Sequence, residues 1–230
     1  MVNSLMGSGD IFLKLLNLFA YVVAILISLP FHEFAHAFIA DKLGDKTARY
    51  QGRLTLNPFA HLDLWGSLML FLFGFGYAKP VPVNPYNFKN AKTGMALTSF
   101  AGPVSNVILA IFFMIIHKIL SYSGIYLTAF GGLEIIISTI IIINMSLAIF
   151  NLLPIPPLDG SRIASLFLPE RIYFKIMQYE RIIMIILFAV LAFTSFLDVP
   201  LSYLQNGLLA FINFITGFVD MIFGYSWAGL

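Results

Sequence analysis

Long apolar runs divide this chain into predicted membrane-spanning elements. Four of them, 13–40, 95–119, 133–153 and 182–223, are long enough to cross a hydrocarbon core of about 30 Å, which takes about 20 helical residues. The last run divides near Asp198–Pro200 into two helices. The pattern therefore predicts an all-α polytopic membrane protein with about five transmembrane helices.

A shorter segment at 65–90 interrupts this pattern. Its apolar part, 65–77, has only about a dozen residues and includes three glycines, which is short for a span. At membrane depth such a segment must be buried in protein or line a water-filled cavity. The following stretch, 78–90, carries three prolines and cannot be helical. We expect a re-entrant piece followed by an extended strand or loop.

Composition excludes a soluble protein. Hydrophobic residues make up 60% of the 230 residues and charged residues only 10%, and the mean hydropathy is +0.91. A net charge of +2 without a basic tract argues against a nucleic-acid partner. The absence of cysteine excludes disulfides and thiolate metal ligands. Without a signal-peptide pattern at the N-terminus, we expect residues 1–230 to form one integral membrane domain.

Basic residues predict the orientation of this domain. If 65–77 does not cross the membrane, 41–94 and 154–181 lie on the same side and together hold eleven of the thirteen Lys and Arg residues. The positive-inside rule makes that side cytoplasmic, with the N-terminus outside. We therefore expect a multi-pass protein of a prokaryotic cell membrane with these loops in the cytoplasm.

A histidine–glutamate–histidine motif lies inside the first apolar run. His32, Glu33 and His36 form the sequence H-E-F-A-H, and 18–40 contains no other charge. Polar and charged groups at bilayer depth are costly and usually mark function. The two histidines are one helical turn apart and can bind one metal ion, and the glutamate between them is placed to deprotonate a water at that metal. The motif therefore predicts a protease-type zinc site, close to the cytoplasmic end of its helix.

Asp159 is a candidate third ligand. It follows the 133–153 helix in the run N-L-L-P-I-P-P-L-D-G, at the same membrane face as the histidines. The prolines end the helix, and Gly160 would permit the turn that directs the carboxylate. Asp159 would equally serve as the N-cap of a helix over 160–167.

The chain resembles the site-2 protease family of intramembrane zinc metalloproteases. Five motifs carry the resemblance: H-E-F-A-H at 32–36, G-R-L-T-L-N-P at 52–58, A-K-P-V-P-V-N-P at 78–85, A-G-P-V-S-N at 101–106 and N-L-L-P-I-P-P-L-D-G at 151–160. They cover about residues 18–170, which corresponds to the family's three-helix catalytic core. The helices at about 181–223 would be accessory, and the compact relatives without a PDZ or other regulatory domain are the closer match.

The resemblance implies the chemistry of the site. One Zn²⁺ per chain would be held by His32, His36 and Asp159, with Glu33 as general base. The substrates would be transmembrane segments of other proteins, and the distribution of basic residues places the site toward the cytoplasmic side of the bilayer. The resemblance also makes Asn106 a candidate substrate or oxyanion contact, although a buried membrane amide more commonly hydrogen-bonds between helices. Nothing in the sequence indicates the oligomeric state.

Two other classes of function remain open. A metal-binding scaffold or transporter would use the same ligands without hydrolysis, but a transporter usually shows further intramembrane polar residues or an internal repeat. A pseudoprotease that binds transmembrane partners would have no need of Glu33. His61 lies outside the long runs, where a turn pairing with Asp63 is the simpler expectation and a position near the zinc the alternative.

Overall fold

The computed structural model of this protein describes residues 10–63, 66, 79–128 and 131–227. Within these residues the regular secondary structure is helical, and no β-strand is present. The predicted all-α class is therefore confirmed.

Ten α-helices occur in the described part of the chain. In order they are α1 (Ile11–Lys42), α2 (Thr47–Tyr50), α3 (Pro58–His61), α4 (Ala91–Tyr122), α5 (Gly131–Asn151), α6 (Asp159–Ala164), α7 (Glu170–Met177), α8 (Glu180–Phe193), α9 (Asp198–Ile215) and α10 (Gly217–Trp227), with 3₁₀ turns at Pro85–Asn87 and Ile125–Leu127.

The three longest helices coincide with the first three predicted spans. Helices α1, α4 and α5, of 32, 32 and 21 residues, are long and apolar enough to cross a bilayer. Helices α9 and α10 meet at a bend of 46° and would together form a fourth span among the described residues. The expected count of about five is not confirmed, because α8 has only 14 residues and extends about 21 Å.

Two helix breaks divide the last apolar run into three helices. Helix α8 ends at Phe193 and α9 begins at Asp198, so the predicted division is present and lies just before Asp198. Pro200 lies in the first turn of α9, where proline is tolerated. A second break follows at Thr216. The predicted re-entrant piece at 65–77 falls outside the described residues except for Gly66, while 79–84 is non-helical as expected.

Small side chains let the three long helices approach closely. Ala20, Ala24 and Ser28 of α1 are fully buried at intervals of four residues, in the same row as the two histidines. Helices α4 and α5 pack against α1 and against each other, and α6 packs against α4. Farther along the bundle, Ile212 of α9 joins Ala110, Met114 and their neighbours in an apolar core.

Hydrogen bonds gather the predicted cytoplasmic loops at one end of this bundle. The Asp45 carboxylate, just after α1, accepts the Asn84 backbone N–H at 2.7 Å. Lys92, in the first turn of α4, donates to the Leu168 carbonyl at 3.0 Å. The loop after α1, the segment before α4 and the loop after α6 therefore share one end.

This arrangement predicts which positions are labelled together. Cysteines introduced by Lys46→Cys and Lys89→Cys should react with a membrane-impermeant thiol reagent from the same face, since both lie beside the Asp45 contacts. A Ser123→Cys control should react from the opposite face, because the 32 residues of α4 extend about 48 Å. The cysteine-free chain gives no background. Labelling of positions 46 and 89 from opposite faces would contradict the fold.

Candidate metal centre

Helix α1 places both histidines on its buried side. His32 and His36 are one turn apart and only 5% and 8% exposed. Their rings meet edge to face, and the two Nε2 atoms are 3.0 Å apart. The helical spacing therefore brings both imidazoles to one point, as the motif predicts.

Asp159 reaches the same point from the loop after α5. Its Oδ2 lies 3.3 Å from Nε2 of His32 and 3.3 Å from Nε2 of His36. Helix α6 begins at Asp159 and Leu158 occupies the cap position, so the carboxylate points to the imidazoles rather than serving as the N-cap. Burial by itself would raise the pKa of Asp159, but the neighbouring His36 and His32 lower it below its ordinary value.

Glycine is required at position 160 for a reason other than the expected one. It is helical, and its φ is not among the positive values found in the described chain. A Cβ at this position would collide with the carbonyl groups of Leu152 and Leu153. The expectation of a special backbone turn was therefore wrong. Glycine is needed because α6 starts directly against the end of the preceding segment.

The three converging atoms fit a metal ion. They lie within 4.8 Å of one another, and ligands at about 2.0–2.1 Å on a tetrahedral zinc would be about 3.3 Å apart. A Nε2 lone pair, a second Nε2 lone pair and a carboxylate oxygen repel one another unless a proton or a cation lies between them. The donor set thus suits a divalent cation and leaves a fourth position for water or substrate.

Each imidazole has an acceptor on its other nitrogen. Nδ1 of His36 donates to the backbone carbonyl of Thr98 at 2.7 Å. Nδ1 of His32 donates to Oδ1 of Asn106 at 2.6 Å. A partner on the second nitrogen is the usual means by which a protein selects the tautomer of a metal-binding histidine.

Asn106 lies behind His32. Its side chain is fully buried, and its amide nitrogen donates to Oδ1 of Asn144 at 2.8 Å. Both ends of the amide are therefore engaged between helices. These contacts favour a role in holding His32, and a contact with substrate or with an oxyanion stays a prediction.

Glu33 faces the extended segment before α4. Its Oε2 accepts the backbone N–H of Val81 at 3.1 Å, and the side chain is 8% exposed. Glu33 is not one of the three grouped ligand atoms. Glu33 is thus adjacent to His32 in the chain but contacts the extended segment and does not belong to the candidate ligand group.

The extended segment is held at both ends. At Lys79, the backbone N–H donates to the His61 carbonyl at 2.9 Å and the carbonyl accepts from Arg53 at 2.5 Å. At the other end, Asp45 accepts the Asn84 N–H at 2.7 Å and the Asn87 side-chain amide at 2.7 Å. We call residues 79–87 the strap.

Asp45 is a buried, ionised anchor for the strap. Its side chain is fully buried, and this burial would raise the pKa of its carboxyl. Hydrogen bonds from Thr47, Asn87 and the Asn84 backbone outweigh that effect and lower the pKa of Asp45. The carboxylate therefore remains charged at neutral pH.

Comparison with known proteins identifies the family. The model of peptidase family M50 matches residues 119–197, which include Asp159 but not the two histidines. A relative from Bacillus subtilis (strain 168), YwhC, is 46% identical over 168 residues, covering 72% of this chain and 77% of YwhC. This chain belongs to peptidase family M50, the site-2 protease family.

Other relatives are less similar in sequence. Rip2 of Mycobacterium tuberculosis (strain ATCC 25618 / H37Rv) is 34% identical over 141 residues, which cover 59% of this chain and 52% of Rip2. MJ0611 of Methanocaldococcus jannaschii is 29% identical over 146 residues, covering 62% of this chain and 67% of MJ0611. All three relatives bear the name "Putative zinc metalloprotease". The chain spans about half the length of Rip2. No solved structure matches it significantly.

In this M50 chain, Gly102 admits the imidazoles. It lies on α4 between Thr98 and Asn106, and a Cβ there would overlap ring atoms of both His32 and His36. Because Gly102 has no side chain, α4 approaches α1 closely. The Thr98 carbonyl and Asn106 Oδ1 of α4 can then accept hydrogen bonds from the two Nδ1 atoms.

His61 does not pair with Asp63 as expected. It is fully buried, and its Nε2 donates to the Thr55 carbonyl at 2.8 Å while Nδ1 lies 3.5 Å from the Arg53 guanidinium. The Asp63 carboxylate instead accepts the Gly66 N–H. His61 therefore supports the Arg53 end of the strap.

Sequence reasoning missed several residues of this site. The Thr98 contact uses a backbone carbonyl, which every residue type provides and no sequence pattern reveals. Asp45 and Arg53 looked like ordinary loop charges, because their strap partners are more than twenty residues away. Ser28 gave a usable signal, since a polar residue four positions before His32 in an apolar helix indicates a hydrogen-bonding partner.

Removal of the third ligand should weaken metal binding. We expect Asp159→Ala to lower zinc affinity by more than the 10- to 100-fold typical of outer partners of a metal site. Asp63→Ala is the matched control, because that carboxylate contacts Gly66 and is not one of the grouped ligands. Both affinities can be measured by competition with a chromophoric chelator. Equal zinc affinity in Asp159→Ala and the wild type would remove Asp159 from the ligand set.

The close approach at Gly102 gives a second test. Gly102→Ala should reduce zinc affinity at least about 10-fold, since the new methyl group displaces the rings that bind the metal. Gly207→Ala, in α9, is the control, because its Cβ would meet no atom within 4 Å. In a helix interior that substitution is neutral or stabilising by up to about 1 kcal/mol. Unchanged zinc affinity in Gly102→Ala would show that the rings do not need this space.

Proposed function

We propose that this chain is an intramembrane zinc metalloprotease that cleaves peptide bonds in or near transmembrane segments of other membrane proteins. The observation that carries the proposal is the meeting of three metal-ligand atoms, from α1 and α6, within a bundle of apolar helices. Membership of peptidase family M50 supports a proteolytic use of that centre.

Zinc is the metal that best fits the donor set and the names of the relatives. Two imidazoles and one carboxylate are a common set for catalytic zinc, and they leave one position open. His32, His36 and Asp159 would hold one Zn²⁺ per chain. When bound there, zinc supplies a Lewis acid that lowers the pKa of water and polarises a carbonyl group.

Glu33 is the proposed general base. The carboxylate would accept a proton from the attacking water and later deliver it to the amine nitrogen of the leaving peptide. The Val81 N–H holds one carboxylate oxygen at 3.1 Å, which restricts the rotamer of Glu33 and leaves the other oxygen for the water. A protease needs Glu33 as a base, whereas a metal-binding scaffold needs only the metal ligands.

The strap is the proposed substrate edge. A transmembrane helix hides its peptide bonds within its own hydrogen bonds, so a substrate must unwind locally before hydrolysis. Residues 79–84 are non-helical and lie beside Glu33, where an unwound peptide could pair as an added strand. Pro80 and Pro82 carry no N–H, so this pairing would use mainly the carbonyl groups of the strap.

We propose that the centre opens toward the cytoplasm of a prokaryotic cell. His36 is less than two turns from the Lys42 end of α1, and the loops with most of the basic residues gather at that same end. The positive-inside rule assigns such an end to the cytoplasm. The three relatives named above come from two bacteria and an archaeon, which supports the prokaryotic assignment.

Substitution of Glu33 should separate metal binding from catalysis. Glu33→Gln should retain about one zinc per chain. Its cleavage rate should fall by about 10²- to 10⁴-fold or more, the contribution typical of a general base, since an amide cannot accept the proton. Metal analysis and cleavage of a model membrane substrate by purified protein measure the two effects. Glu134→Gln, at the other end of the bundle, should leave both unchanged.

The alternatives give different results in this experiment. Undiminished cleavage by Glu33→Gln would show that Glu33 is not the base. A wild-type protein that binds zinc but cleaves no membrane substrate would point to the scaffold, transporter or pseudoprotease class.

A further inference from the structure

A buried chain of side chains leads away from the candidate metal centre. It runs from His32 on α1 through Asn106 on α4 and Asn144 on α5 and returns to Ser28 on α1. The successive contacts are 2.6, 2.8 and 2.8 Å long. Ser28, Asn106 and Asn144 are fully buried. The chain therefore joins all three long helices without access to solvent.

The direction of this chain is set at Asn144. One end of its amide lies 2.8 Å from the Ile140 carbonyl oxygen, which can only accept a hydrogen bond. That end must therefore be the NH₂ group, which also donates to Ser28 at 2.8 Å. The Oδ1 atom of Asn144 is consequently the end that faces Asn106.

Asn144 in turn sets the orientation of the Asn106 amide. Because Asn144 offers an acceptor, Asn106 must present its NH₂ group to it, and its Oδ1 then faces His32. An oxygen acceptor on that side requires a proton on Nδ1 of His32. The neutral ring then has its lone pair on Nε2, the atom that faces His36 and Asp159.

The two histidines differ in how their tautomers are selected. Nδ1 of His36 meets the backbone carbonyl of Thr98, whose orientation is set by the helix itself. Nδ1 of His32 meets an amide that could present either end if nothing else constrained it. His32 therefore depends on a more distant side chain in a way that His36 does not.

We infer that Asn144 is a positioning residue for the metal centre. It orients the amide of Asn106, and through it selects the His32 tautomer whose Nε2 can bind the metal. The inference rests on the proposed function only in taking the centre to bind zinc. Asn144 itself need touch neither the metal nor the substrate.

A pair of substitutions tests this role by zinc affinity, measured by chelator competition, and by the absorption spectrum of the cobalt-substituted protein. Asn144→Leu should weaken zinc binding about 10- to 100-fold, since the Asn106 amide can then turn its NH₂ group toward His32. In the Asn106→Asp background both ends of the side chain at position 106 are acceptors, so its orientation no longer matters. Adding Asn144→Leu to Asn106→Asp should therefore change zinc affinity less than threefold.

This comparison separates positioning from packing. If Asn144→Leu acted by distorting the helix contacts, the same loss would persist in the Asn106→Asp background, and that outcome would overturn the inference. Wild-type affinity in Asn144→Leu alone would overturn it too. Asn17→Leu is the control, because the Asn17 amide donates to the Leu13 carbonyl of its own helix, and it should bind zinc as the wild type does.

Two further outcomes complete the test. If Asn144→Leu proves too unstable to purify, Asn144→Ser replaces it with the same expectations, since a helical serine readily bonds to its own i−4 carbonyl and leaves Asn106 unconstrained. A wild-type chain that binds no zinc would overturn both this inference and the proposed function. A wild type that binds zinc without cleaving substrate would overturn the proposed function alone.

Discussion

Two imidazole lone pairs and a carboxylate oxygen meet within 3.0–3.3 Å inside an apolar bundle, and this is the arrangement on which the rest of the structure depends. Such a group is stable only if a proton or a cation compensates the repulsion, and it is held in place when the second nitrogen of each imidazole has a partner. Both histidines accordingly carry an acceptor on Nδ1. Gly102 leaves the space for the rings, and α6 begins directly at the third ligand.

Helix α4 meets these demands through a single row of residues at every fourth position. A row of this kind winds slowly around a helix, so it faces different neighbours along its length. Near the start of α4 the row serves the metal centre, in the middle it joins the apolar core with α5 and α9, and at the far end it forms an ion pair with Asp220 of α10. Its members are Thr98, Gly102, Asn106, Ala110, Met114, Lys118 and Tyr122.

The strap solves a related problem, because non-helical backbone beside a membrane core must also satisfy its hydrogen bonds. Arg53 and His61 hold one end and the buried Asp45 carboxylate holds the other, and between them the Val81 N–H reaches Glu33. The anchors lie near the end of the bundle where basic residues gather, so the proposed base and the proposed substrate edge are positioned by the same loop between α1 and α4. A substrate peptide would thus meet a prearranged edge rather than a mobile loop.

Local sequence was sufficient for the three longest helices and for two of the three candidate metal ligands. Apolar run length determines where a helix can cross a bilayer, and a spacing of four residues determines that His32 and His36 share one face, because both follow from the geometry of a single helix. The depth of Asp159 and the family motif suggested it as a ligand. Whether its carboxylate caps α6 or faces the imidazoles depended on how α5 ends and α6 begins. The partners of the histidines, Thr98, Asn106 and Asn144, and the Asp45 anchor of the strap were decided only by tertiary structure. These contacts join residues 38 to 116 positions apart, or use backbone atoms common to every residue, so no local pattern could encode them.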